Sequence, residues 1–128
     1  MKAKTIATVK IPVRMPGANE YIAQERRSRY AGAKLKQEYT NLAALYFRRA
    51  GAAGVTGPVK IRFTWHEPNR RRDKDNVAYA KKYILDGMQR ARFLPNDNNR
   101  WITGFEDRFV YGGWCGVEIE VMGDDGLA

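Results

Sequence analysis

Strict alternation of apolar and polar residues marks one stretch of the chain. In VKIRFTWHE, Val59, Ile61, Phe63 and Trp65 share one face, and Lys60, Arg62, Thr64 and His66 share the other. A period of two is the side-chain period of a strand, so Val59–Glu67 is read as a half-buried strand. A looser alternation rich in β-branched residues, TIATVKIPV over 5–13, predicts an earlier strand that Pro12, Pro16 and Gly17 break off. WITGFEDRFVY (101–111) and GVEIEVM (116–122) read as two more, joined by GGWC.

Elsewhere the period is helical. Over 19–50, Leu35, Tyr39, Leu42 and Tyr46 recur at three- and four-residue spacing with Leu45 beside them. Asn19 suits the N-cap, and Gly32 is expected to divide the segment. A second helix is expected over 76–92, with the stripe Val77, Ala80, Ile84, Met88 and Ala91. GAAGVTGP (51–58) and FLPNDNNR (93–100) are turns, and the tail GDDGLA is expected to fray. The order β-α-β-α-β-β predicts a single α+β (mixed α/β) domain over 1–128. Its four-stranded mixed sheet would carry two main helices packed on one face.

Charge changes this picture. Across 128 residues, 23 Lys and Arg face 14 Asp and Glu, a net +9. That balance points to a polyanionic partner, nucleic acid first. Solubility alone would also use positive charge. It would not require Asp73, Asp75 and Asp97 to lie in or near strongly basic stretches. Cys115 is the only cysteine, so no internal disulfide forms, and a lone cysteine fits a reducing compartment. The N-terminus has no apolar h-region, and no segment approaches the roughly 18 apolar residues of a membrane span. A soluble cytoplasmic protein with no membrane partner is expected.

The chemistry narrows by exclusion. One cysteine and one histidine do not build a zinc site from the usual ligands, and no phosphate loop or dinucleotide fingerprint is present. Cys115 is read as a small buried filler, with pairing to His66 as the alternative. His66 is read as a surface imidazole. The carboxylates remain. In RRRDKDN (70–76), Asp73 and Asp75 at i and i+2 point the same way on extended backbone, whereas on a helix they diverge by about 200°. They converge on one cation only if they precede the helix. Paired carboxylate oxygens suit Mg²⁺. The competing reading is a helix cap, which Asp-x-Asp-Asn also suits. Arg70, Arg71, Arg72 and Lys74 are expected to grip phosphates around the pair, and the helix start near Asn76 would add donors for an anion. Asp97 would join them if the sheet returned its turn to the helix start. On the second helix, Lys82 is either the partner of Asp86 in a surface pair or a cation beside the reacting phosphate. Lys81 falls at the edge of the apolar stripe.

Together, RRDKDNVAYAKKYILDGM and FLPNDNNRWI resemble the RusA-type Holliday junction resolvases, small endodeoxyribonucleases of bacteria and prophages. The shared pattern is Asp-x-Asp-Asn, a helix with a lysine followed by Asp-Ala/Gly-Leu/Met, and a turn ending in Asp before a strand. PVRMPGANEY, with Pro16 and Asn19, resembles the family's N-terminal segment. The resemblance implies a cytoplasmic, phage- or prophage-encoded homodimer that makes paired symmetric nicks in four-way DNA junctions with Mg²⁺. It carries the metal ligands onto Asp73, Asp75 and Asp97 and the essential lysine onto Lys82. Lys82 stands six residues after Asn76, whereas the commoner pattern has three, so Lys81 remains the alternative and is otherwise a DNA contact. A non-catalytic DNA-binding protein, architectural or regulatory, is the rival expectation.

Overall fold

A computed structural model describes residues 4–51 and 53–124. The strands are β1 (Thr5–Ile11), β2 (Val59–Glu67), β3 (Ile102–Tyr111) and β4 (Gly116–Gly123). The helices are α1 (Ala18–Arg27), α2 (Arg29–Arg49), α3 (Lys74–Ala78) and α4 (Lys81–Arg90). The fold is mixed α+β, as expected. The strands form one sheet in the order β1-β4-β2-β3. β4 runs antiparallel to both β1 and β2, whereas β2 and β3 are parallel and joined through α3 and α4.

The alternation in β2 does what its period requires. Val59, Ile61, Phe63 and Trp65 are 0–2% exposed. They join Val9 and Ile11 of β1 and Val117, Ile119 and Val121 of β4 in an apolar layer. Ala43 and Phe47 of α2 and Tyr83, Ile84 and Met88 of α4 belong to the same core. The opposite face is polar: Arg62 lies 3.2 Å from Glu106 and 3.4 Å from Glu120.

Each expected helix is two. The first divides at Ser28, not Gly32. Ser28 is extended, ends α1, and caps α2 by accepting from the Ala31 N–H at 3.0 Å. A short polar side chain that captures a backbone N–H starts a helix more effectively than a glycine stops one. Gly32 is buried inside α2, where a Cβ would lie 3.1 Å from the Glu25 Cα, so its smallness serves the approach of α1. The N-cap of α1 is Gly17 rather than Asn19, and the Glu20 side chain accepts from the Gly17 N–H. The second helix breaks at Tyr79–Ala80, where i→i+3 bonds such as Lys82 N–H to Tyr79 O tighten the chain.

Candidate functional site

The C-terminal end of β2 gathers most of the opening motif. Glu67 continues the inward phase of Val59, Ile61, Phe63 and Trp65 and is 5% exposed. A carboxylate carried into the interior by strand period needs a cation. Arg72 supplies it: Nε and Nη2 donate to the two Glu67 oxygens at 2.8 and 2.7 Å. Nη1 donates to Met15 O at 3.0 Å and to Glu20 at 3.1 Å. Burial disfavours the charge on Arg72, but Glu67 and Glu20 outweigh it and hold the guanidinium protonated. This corrects the expectation that Arg72 grips DNA. Its side chain is 12% exposed and its donors are committed to closing β2 against the start of α1. Arg70, Arg71 and Lys74 stay exposed.

Asp73 is the N-cap of α3, and Asp75 is in its first turn. The helix starts between them, two residues before the expected Asn76, so only Asp73 keeps the extended backbone; as N-cap and first-turn residue, the two aspartates both stand at the start of α3. Capping does not consume Asp73, whose side chain makes no cap bond. Asp75 accepts from the Asn76 N–H at 3.0 Å. Asn76 accepts from the Asn19 N–H at 2.9 Å and so ties α3 to α1. Both aspartates are exposed.

Asp97 lies elsewhere. Val59 N–H donates to Trp101 O at 2.8 Å, and Val55 N–H to Phe93 O at 2.9 Å, so the turn holding Asp97 sits at the N-terminal end of β2. β2 has 9 residues; at a rise of about 3.3 Å per residue, its ends are roughly 26 Å apart. β3 is parallel to β2, and a parallel strand must start where its neighbour starts. The return of Asp97 to the Asp73–Asp75 end therefore does not occur within one chain. Among the described residues, no three His, Cys, Asp or Glu side chains are grouped to hold a metal ion.

The two lysines part company. Lys81 Nζ lies 2.8 Å from Asp107 Oδ2, and Trp65 Nε1 donates to Asp107 Oδ1 at 2.9 Å. Lys82 is exposed, and no described residue pairs with it; Asp86 lies 3.8 Å from Lys36 instead.

An arrangement not expected from the sequence lines the inner face of β3. Phe105, Asp107, Phe109 and Tyr111 alternate along one face beside the buried face of β2. The helices leave its Phe105 end open, with Phe105 44% exposed, whereas Phe109 and Tyr111 are half-buried and Phe109 packs against the core. Arg70 lies 4.1 Å over the Tyr111 ring, Lys74 5.6 Å over Phe109, and Lys81 4.6 Å over Phe105. Each such contact is worth about 0.5–1 kcal/mol where exposed, against about 1–3 kcal/mol for a nucleic-acid base stacked on a ring. The period-two placement of three rings in FEDRFVY was the available signal.

His66 corrects a further expectation. It is 9% exposed, stacked on Trp114 with centroids 4.0 Å apart and bonded to Glu118 at 2.7 Å. The turn before β4 folds Trp114 over the polar face. Cys115 is half-buried, with Sγ 3.8 Å from Glu67. Burial, reinforced by the Glu67 charge, pushes its thiol above the ordinary range, so it is a weak nucleophile at neutral pH.

No family model matches the chain, and no curated protein matches it significantly. No described helix is long and apolar enough to cross a membrane.

Proposed function

We propose that this protein is a Mg²⁺-dependent endodeoxyribonuclease of the RusA type that nicks four-way DNA junctions symmetrically. The observation that carries the reading is the end of β2 and β3. There the exposed Asp73 and Asp75 lie among Arg70, Arg71 and Lys74, which the Arg72–Glu67 pair leaves free for phosphate. A bound divalent cation would supply charge neutralisation at the phosphate and an activated water. One chain alone does not fit a three-carboxylate site, because Asp97 is at the far end of β2.

The reading therefore requires two copies. A two-fold contact is isologous, so bringing Asp97 of one copy to Asp73 and Asp75 of the other builds two equivalent sites at once. Two sites related by a two-fold axis also match the symmetry of a four-way junction. Lys82, exposed one turn along from the break at Tyr79–Ala80, is free to reach phosphate. Lys81 is committed to Asp107 and serves as a positioning cation.

The separation of Asp97 favours a second reading, a DNA-binding protein without catalysis. Purified protein with a labelled four-way junction, with and without Mg²⁺, decides between them. The nuclease reading expects paired nicks only with Mg²⁺, abolished by Asp75→Asn while junction binding persists. Binding without scission across several junction sequences establishes the second.

A further inference from the structure

We propose that the inner face of β3 is a stacking platform for unpaired bases of a DNA strand. The inference takes from the reading above only that the partner is DNA. Its elements are Phe105, Phe109 and Tyr111, with Lys81, Lys74 and Arg70 respectively against their rings. At about 3.3 Å per residue, Phe109 and Tyr111 lie about 6.6 Å apart along β3, and Phe105, with Asp107 between, about 13 Å from Phe109. Open β-sheet faces bearing such rings take two or three bases.

Unpaired bases fit this face better than the other occupants of a basic, aromatic surface. Base pairs within a duplex keep their faces stacked inside, whereas an unpaired base offers a free π-face. A second copy seated on its own counterpart would set Arg70, Lys74 and Lys81 against the same cations, a like-charge contact. Asp107 is the one carboxylate within the strip, and Lys81 and Trp65 Nε1 occupy both its oxygens. It therefore does not repel a phosphate as a free carboxylate would. On binding, a base replaces Arg70 or Lys74 over its ring and the released cation turns to the adjacent phosphate, whereas Lys81 stays on Asp107 and the base at Phe105 takes the exposed part of the ring. The stronger contact replaces the weaker, and the charge stays in use.

The test is metal-free fluorescence anisotropy with two labelled oligomers of about a dozen nucleotides, oligothymidylate and an abasic strand of equal length. Both carry the same backbone charge and differ only in bases. The platform predicts that wild-type protein binds oligothymidylate roughly fivefold or more tightly. Phe105→Leu and Tyr111→Leu, each with a wild-type melting curve, should bring that ratio toward one and leave the salt dependence unchanged, because the cations remain. Phe105→Trp should keep it. Equal affinity of the wild type for both strands overturns the proposal. So does a change in sedimentation mass in the leucine variants with the ratio intact, which would make the strip a contact between copies. Cleavage plays no part in this readout, so a protein that stacks bases but never nicks refutes the nuclease and leaves the platform standing.

Discussion

Arg72 and Glu67 face each other through two bonds of 2.8 and 2.7 Å at the end of β2, with side chains 12% and 6% exposed. Arg72 is thus the one arginine of the triplet that holds the fold together. Arg72→Met should cost roughly 3–5 kcal/mol, because it strands a buried carboxylate. Arg71→Met, at an exposed position, should change stability by less than about 0.5 kcal/mol and weaken DNA binding instead. Urea denaturation of the two variants measures the contrast. Equal stability losses would remove the structural role assigned to Arg72.

Gly87 lets α4 lie directly on α2. A Cβ there would fall 2.6 Å from Ala43 Cβ and 2.9 Å from both Ala44 N and Thr40 O. Two of those three atoms are backbone and do not rotate away. Gly87→Ala should therefore push the helices apart and cost about 1–3 kcal/mol. Gly104→Ala, where a Cβ meets nothing within 4 Å, should be neutral to within about 0.5 kcal/mol. Thermal melts of the two variants test the comparison.

Glu20 links the site to pH. Partial burial would raise its pKa, but the Gly17 N–H, Arg14 and Arg72 together hold it below the ordinary 4.5. A carboxylate lowered on folding contributes stability that is complete above its unfolded pKa and is lost as pH falls through the folded value. Stability should thus decline as pH drops below about 4.5. Glu20→Gln should be less stable than wild type at neutral pH and show a shallower acid decline. Urea midpoints across the acidic range give both slopes, and parallel slopes would exclude Glu20 as a contributor.

What the sequence made legible was periodic. The strict alternation of β2 and the apolar stripes fixed the inner face, and the turn residues placed the strands to within a few positions. What escaped depended on partners distant in the chain. Ser28 outcompeted Gly32 as a helix boundary through a single captured N–H. Arg72 could not be told from Arg70 and Arg71 until Glu67 was recognised as the fifth inward residue of β2. The parallel pairing of β2 and β3 carried Asp97 to the opposite end of the sheet. A motif read along the chain held the three aspartates within 25 positions, but only the topology shows which end of the sheet each one reaches.

The central claim is that Asp97 of one copy serves Asp73 and Asp75 of another. Mixing two inactive variants, Asp75→Asn and Asp97→Asn, tests it most directly. A mixed dimer then has one site with all three carboxylates and one with neither Asp75 nor Asp97. With Mg²⁺ and a labelled four-way junction, each variant alone should be inert, and the mixture should nick one strand per junction. A mixture as inert as its components, beside an active wild type, would contradict the shared site.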